Sequence, residues 1–400
     1  MDAVIDRVLT SAPPAFSDDE AADLAHQLFG VEGVARQVGS ERDQAFVLDG
    51  EQPAVLKISN AAEDPAQLDM EALAAQRIAE IDPGVPVALP WRVPGTNDFK
   101  ARIERDGGVH YARLYDRLAG HSHAWGADLS DDAVRDWGTM AARVGRALRG
   151  FWHPAAKRVM PWDVQHALKL RPMVEAVTDP ELRRLVVWTL DRYEELVAPL
   201  WPQLRAQLIH TDMCASNTLV DDDGKVTGII DFGDASWSAL VSDLPSVIES
   251  MIEGRSGDDV FRTARILIDG YEKVTPLEPA ERAIMGELIA ARMCAAVVIP
   301  ASRAQMYEKP EELQARLRGL AATILRHFSE VGWEGVARQL GGREPGLGLT
   351  VPDLSEWRKR VNGPAMTNTF YREPLHLVRG DGVWLFDQEG RRYLDAYNNV

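Results

Sequence analysis

Between Leu208 and Ala235 the chain reads LIHTDMCASNTLVDDDGKVTGIIDFGDA, in which His210, Asp212, Asn217, Asp231 and Asp234 interrupt runs of Ile, Leu and Val. The segments QLIH, NTLV and GIIDF have the length and β-branched content of short strands, and DDDGK has the composition of a turn. The polar groups therefore gather at strand ends. Asp212 precedes Asn217 by five residues and Asp231 follows on the next hairpin arm, so a carboxylate, an amide oxygen and a second carboxylate can converge. Hard oxygen donors in that number suit magnesium, which keeps several waters and takes one or two carboxylates plus phosphate oxygens. Asp212 need not be a ligand.

The pattern H-x-D-x-x-x-x-N from His210 to Asn217, followed by Ile230-Asp231-Phe232-Gly233-Asp234, resembles the catalytic and metal-binding loops of the aminoglycoside phosphotransferase and choline kinase family. That family is similar in fold to protein kinases. The resemblance implies an α+β, bilobal protein-kinase-like fold, with a small antiparallel-sheet lobe and a larger helical lobe. It implies Asp212 as the group accepting the substrate hydroxyl's proton, and Asn217 with Asp231 holding Mg2+ on the phosphates of ATP or GTP. It also makes demands on the first hundred residues. Lys57 in AVLKIS meets the demand for a third-strand lysine, on the strand face opposite Ala54, Leu56 and Ile58. Glu71 shares a helical stripe with Leu68, Ala75 and Ile78, where an ion pair with Lys57 would offset the cost of an inward-facing charge. VGSERDQ is the turn over the phosphates, with Gly39 and Ser40 as the contact residues. YARLYDRLAG falls where the connector between lobes meets the adenine or guanine edge.

Other polar residues carry blander expectations. His210 reads as a buried imidazole bonding backbone near the second aspartate loop. Asp243, before LPSVIESMIEG, reads as a helix cap or loop brace. Asp234 is open between a second metal contact, a substrate-amine contact and an N-cap. Cys214 is a small space-filler, and His121 and His123 are loop residues. Trp125, Trp137, Trp152 and Trp162 are mostly core, with one or two placed to line an amine pocket.

The elements that must position these groups follow from periodicity. The first 30 residues read as helical, with Asp18, Asp19 and Glu20 after Ser17 as capped acidic first turn. VARQVGS, QAFVLDG and AVLKIS form an antiparallel meander, and a helix follows from Leu68. Helical spacing then covers 131–151, 179–201 and 278–329. The chain divides into a small lobe (1–118), a large lobe (119–340), a linker (341–365) around GGREPGLG, and a final segment (366–400). That segment alternates apolar and polar residues around two turn signals, Asp381-Gly382 and Glu389-Gly390, a hairpin pattern too short to close its own core. Its GVWLFDQEGRRYLDAYNNV resembles the start of class III pyridoxal-phosphate aminotransferases, implying a truncated domain whose missing remainder would hold the pyridoxal phosphate.

A net charge of −17 over 400 residues opposes nucleic-acid and anionic-membrane partners and tolerates cationic ligands. Two cysteines cannot form a disulfide framework, and no run of 18 uninterrupted apolar residues occurs, so the expected place is the cytoplasm and no membrane span is expected. The expected function is a kinase acting on a small amine-bearing alcohol, an amino alcohol or hydroxy amino acid of hydroxylysine or ethanolamine type. It would feed a fused pyridoxal-phosphate domain. Two rivals are an inactive nucleotide-binding regulatory module, favoured by the glycine-poor turn, and a metallohydrolase built on His210 and Asp212, which lacks further His at useful spacing.

Overall fold

Ser17 starts the first helix, α1 (Asp18–Phe29), through a capping box: its Oγ accepts from the Glu20 N–H (3.2 Å) and the Glu20 carboxylate accepts from the Ser17 N–H (2.8 Å). Gly30, at φ 71°, ends it in the left-handed conformation glycine adopts without strain. The computed structural model describes residues 14–40, 42–123, 125, 128–304, 321–341, 377–381, 384–387 and 391–394. Two compact units are present, Met1–Gly342 and Arg343–Val400.

The small lobe is one antiparallel sheet of β1 (Val34–Val38), β2 (Gln44–Asp49), β3 (Ala54–Ile58), β4 (Ala101–Arg105) and β5 (Gly108–Asp116), in the order β1-β2-β3-β5-β4. The sequence reading omits β4. It returns into β5 through a tight turn at Asp106 (φ 52°) and Gly107 (φ 78°), the doubly positive geometry whose twist matches a hairpin. On β3, Ala54, Leu56 and Ile58 are buried with Phe16, Ala25 and Phe29 on one face. Lys57 therefore projects from the other face. Helix α2 (Pro65–Ile81) starts at the Asp64 cap with proline at its first position, and buries Leu68, Glu71, Ala75 and Ile78 along the expected stripe.

The large lobe contains α3 (Asp131–Ala147), α4 (Pro180–Arg192), α5 (Asp243–Ile252), α6 (Asp258–Glu272), α7 (Met285–Ser302) and α8 (Ala321–Val331). The helix expected over 179–201 is not continuous. After α4 a π-turn spans Tyr193–Val197 before short helical pieces at Ala198–Leu200 and Trp201–Gln203. Pro199 has no N–H for the regular ladder, which accounts for the break. Helix α7 is long and apolar enough to cross a membrane by composition, with a mean hydropathy of 1.4, yet 83% of it is buried inside the protein. It is a core helix.

Helices α3 and α6 cross at backbone contact. A Cβ on Gly138 would lie 2.0 Å from the Leu267 carbonyl oxygen, and one on Gly270 would lie 2.1 Å from that of Arg135. Gly138→Ala is expected to cost about 2–3 kcal/mol, the scale of overpacking a close contact. Urea unfolding measures this, and an unchanged midpoint would contradict the crossing.

Five short strands surround the motif loops. β7 (Ala206–Ile209) pairs with β10 (Ser236–Ala239), while β6 (His121–Ser122), β8 (Thr218–Val220) and β9 (Val226–Ile229) form a second small sheet in the order β6-β8-β9. One loop leaves β7 and the other leaves β9. In the second unit, β11 (Leu377–Asp381), β12 (Trp384–Asp387) and β13 (Arg392–Leu394) pair antiparallel in sequence order. The linker proposed at 341–365 lies, except for Gly341, outside the described residues, as do both turn glycines of the tail and residues 1–13.

Candidate active site

The two motif loops hold non-glycine residues in left-handed backbone: Thr211 at φ 71° and Asp231 at φ 64°. Such conformations persist only where the surroundings enforce them. Asp243, at the start of α5, braces the first. Its Oδ1 accepts from the Thr211 N–H (2.7 Å) and its Oδ2 from the His210 N–H (3.4 Å). Burial pushes its carboxyl up to about 6, against the pull of His210 and the two amides. His210 is fully buried, its Nε2 donating to the Ile230 carbonyl (3.2 Å) and its ring packed at 4.6 Å on Phe232. It ties the two loops together. Asp243→Ala leaves two buried amides unpaired, so stability is expected to fall by about 2–4 kcal/mol. Turnover should fall more than tenfold in initial-rate assays, with Asp243→Asn, which keeps an acceptor, less affected; wild-type behaviour of the alanine variant would remove the brace.

Asp212 is held on both oxygens. Oδ2 accepts from Asn217 Nδ2 (2.8 Å); Oδ1 accepts from Arg292 Nη2 (2.6 Å) and Ser246 Oγ (3.3 Å). Asn217 Nδ2 also donates to the Asp212 carbonyl (2.9 Å), which leaves the amide oxygen for another partner. Arg292 was not anticipated. It lies on α7, 4% exposed, donating through Nε to Glu249 (2.7 Å) and through Nη1 to the Trp162 carbonyl (3.1 Å), with its guanidinium 4.7 Å from the Trp162 ring centre. Burial pushes the Glu249 carboxyl up to about 7 in spite of Arg292. Of the four tryptophans weighed in the sequence, Trp137 is core, Trp162 backs Arg292 and Trp152 is exposed. Cys214 is buried, which pushes its thiol up and makes it unreactive.

Lys57 Nζ lies 3.0 Å from Asp231 Oδ1. Partial burial alone would raise the Asp231 carboxyl, but Lys57 and Arg42 outweigh it and hold it well below the usual carboxylate range. The expected Lys57–Glu71 pair is not what forms. Glu71 Oε2 takes Arg113 Nη1 at 2.5 Å, and Arg113 Nη2 takes Asp43 Oδ2 at 2.5 Å. Arg113 stands opposite Lys57 in the β3–β5 register, so both cations project from one sheet face. A planar fork can bridge two carboxylates where an ammonium cannot, and Arg113 takes the inner pair while Lys57 turns to Asp231. For Asp234 the partner is Arg42, at 2.8 Å. Burial pushes the Asp234 carboxyl up to about 6 despite that guanidinium.

Gly39, Ser40, Lys57, Glu71, Asp212, Asn217 and Asp231 all line one cavity of about 770 Å³, together with Arg42, Tyr115, Asp116 and Asp234. That volume is ample for a nucleotide-sized ligand. Among the described residues no group of three or more His, Cys, Asp or Glu is arranged to hold a metal.

The chain is 26% identical over 339 residues to a hydroxylysine kinase of Danio rerio, covering 80% of this chain and 92% of that one. A solved amicoumacin kinase in complex with AMP-PNP, Ca2+ and Ami superposes with a TM-score of 0.60 at 17% identity, over 78% of this chain and 94% of that one, which shows a shared fold. A stretch of 32 residues is 62% identical to an alanine–glyoxylate aminotransferase 2-like protein of Drosophila melanogaster, covering 8% of this chain and 6% of that one. Residues 33–277 match the model described as the phosphotransferase enzyme family, a span that runs from the first strand past both motif loops. On that match, over more than half its length, the chain belongs to the phosphotransferase enzyme family.

Proposed function

We propose that this chain transfers the γ-phosphoryl group of ATP or GTP to a hydroxyl of an amino alcohol or hydroxy amino acid, of hydroxylysine or ethanolamine type. The carrying observation is that Lys57, Asp212, Asn217 and Asp231 line one cavity, with Lys57 and Asp231 in contact. Asp212 is the proton acceptor, held by Asn217 and Arg292 in one orientation. Lys57 meets the α- and β-phosphates. The donor set fits Mg2+: the Asp231 carboxylate and the Asn217 amide oxygen are hard ligands, and bound metal would neutralise charge on the phosphates. Glu71 acts through Arg113, fixing the sheet face from which Lys57 projects. Gly39 and Ser40 cover the cavity from the β1–β2 turn.

Support for the acceptor class comes from the relative in Danio rerio, named for hydroxylysine, and for the donor from the AMP-PNP and Ca2+ of the amicoumacin kinase complex. The lobes would run 1–118 and 119–340, followed by a linker (341–365). Residues 366–400 would open a class III aminotransferase-like domain; the short aminotransferase likeness supports that extension. Phosphorylating a hydroxyl β to an amine makes it a good leaving group, which a pyridoxal-phosphate domain could then expel.

Initial rates with Mg2+, ATP or GTP, and a panel of hydroxylysine, ethanolamine, homoserine and hydroxyl-free amines test the reading. Phosphorylated product is expected with a hydroxylated amine and not with its hydroxyl-free counterpart. Nucleotide hydrolysis with no phosphorylated acceptor anywhere in the panel would reject it.

A further inference from the structure

We infer that the β1–β2 turn grips the terminal phosphates of the nucleotide with the side chain of Arg42, and that without nucleotide the same side chain latches the turn to Asp234 across the cleft. This rests on the kinase reading above and adds to it a residue that the sequence pattern passed over.

The turn is poor in glycine. Gly39 is outside the left-handed region, and a Cβ there would meet nothing within 4 Å, so its backbone is not in a conformation reserved for glycine. Cradling by successive backbone amides is weakly built, and a side chain takes the place. Arg42 lines the cavity with Lys57 and Asp231. It reaches from the small lobe to the loop after β9, with Nη2 2.8 Å from Asp234 Oδ1 and so near Gly233 that a Cβ on that glycine would lie 2.9 Å from it.

Arg42 is also incompletely satisfied. Its Nη1 is buried and has no hydrogen-bond acceptor, where buried guanidinium donors are ordinarily paired. The fork lacks an oxygen, and phosphate oxygens match its planar geometry. Charge points the same way. The cavity wall carries Asp43, Glu63, Glu71, Asp212, Asp231 and Asp234, so a polyphosphate needs interposed cations. Arg113 is occupied by Asp43 and Glu71, and Lys57 by Asp231. Arg42 brings to the wall a buried Nη1 with no acceptor, a donor that adds to the contacts proposed for Lys57.

The second layer lets the latch open. Arg158 donates to the Gly233 carbonyl and lies 4.0 Å from Asp234 and 3.6 Å from Glu63. When Arg42 swings onto phosphate, Asp234 keeps a guanidinium beside it and is not stranded as an unpaired buried charge. Phosphate and Asp234 thus compete for Arg42, and the competition touches only ligands whose phosphates reach the turn.

The test measures binding by calorimetry in the presence of Mg2+, for AMP-PNP and GMP-PNP and for the matching nucleosides, in wild type, Arg42→Gln, Arg42→Lys and Asp234→Asn. Circular dichroism confirms that each variant is folded. Arg42→Gln is expected to weaken the triphosphate analogue about tenfold or more, a loss of about 1.4 kcal/mol, with nucleoside affinity within about twofold; Arg42→Lys should recover part of it. Asp234→Asn, which frees Arg42, should tighten the triphosphate analogue. If Arg42→Gln weakens nucleoside and triphosphate alike, or neither, Arg42 is scaffold and the inference fails. Weaker triphosphate binding in Asp234→Asn overturns the latch. A wild-type protein that binds neither analogue overturns the kinase reading itself, a result distinct from all of these.

Discussion

Replacing Asp212 by Ala lowers turnover by about 10³-fold or more while nucleotide affinity stays within about twofold of wild type. A positioned general base contributes about 10²–10⁴ to a rate, and Asp212, the proposed base, lines the cavity. Its contacts are with Asn217, Arg292 and Ser246, and Lys57 is bound elsewhere, so the groups proposed to meet the α- and β-phosphates lose nothing directly. The fold should survive too. Arg292 retains Glu249 and the Trp162 carbonyl when Asp212 is shortened. Steady-state kinetics paired with nucleotide titration measures both halves of the expectation. Turnover near the wild-type level would remove Asp212 from the chemistry, and parallel loss of nucleotide affinity would make it a binding residue instead. Asp212→Asn sharpens the comparison, because it keeps the shape and removes the basicity.

The gathering of the motif residues at one cavity was legible because they lie close together in the sequence. Asp212, Asn217 and Asp231 sit within 28 residues of chain, on loops whose flanking strands announce themselves by β-branched runs, and local spacing alone brings them together. Lys57 was legible for a similar reason, since strand alternation fixes its face once Ala54, Leu56 and Ile58 are inside. What was not legible depends on tertiary distance. The sequence placed Glu71 inward correctly but could not rank Lys57 against Arg113 as its partner, because the choice turns on a cross-strand register about 55 residues apart in sequence. The signal for Arg113 was a charge within a strand whose neighbours, Ala112 and Leu114, are buried. Arg292 gave a comparable signal as a lone cation in a long apolar helix, where an unpaired charge is too costly to be accidental. The break after α4 followed from Pro199, which periodicity alone overlooks.

Arg113 is where the largest loss of stability is expected. Its side chain is 2% exposed and bonds Glu71, Asp43 and the Tyr115 hydroxyl, so Arg113→Met would leave the Glu71 carboxylate buried without its cation and Asp43 short of one. Breaking a buried pair by removing one partner costs about 3–5 kcal/mol, far more than the pair contributes over a well-packed apolar substitute. At about 2–4 °C per kcal/mol for a domain of a few hundred residues, the midpoint of thermal unfolding should drop by roughly 10 °C. Arg113→Lys should recover little, because one ammonium cannot span two carboxylates. The cause is separable from general damage to the core. If the penalty is the stranded charge, adding Glu71→Leu to Arg113→Met returns much of the lost stability, since the buried carboxylate is gone. Lys57 offers a second readout: in Arg113→Met alone, Glu71 can draw Lys57 away from Asp231, and nucleotide affinity should fall with stability. Should the double variant melt no higher than Arg113→Met, the stranded carboxylate is not what the single variant suffers from, and packing of the Arg113 stem would have to explain the loss.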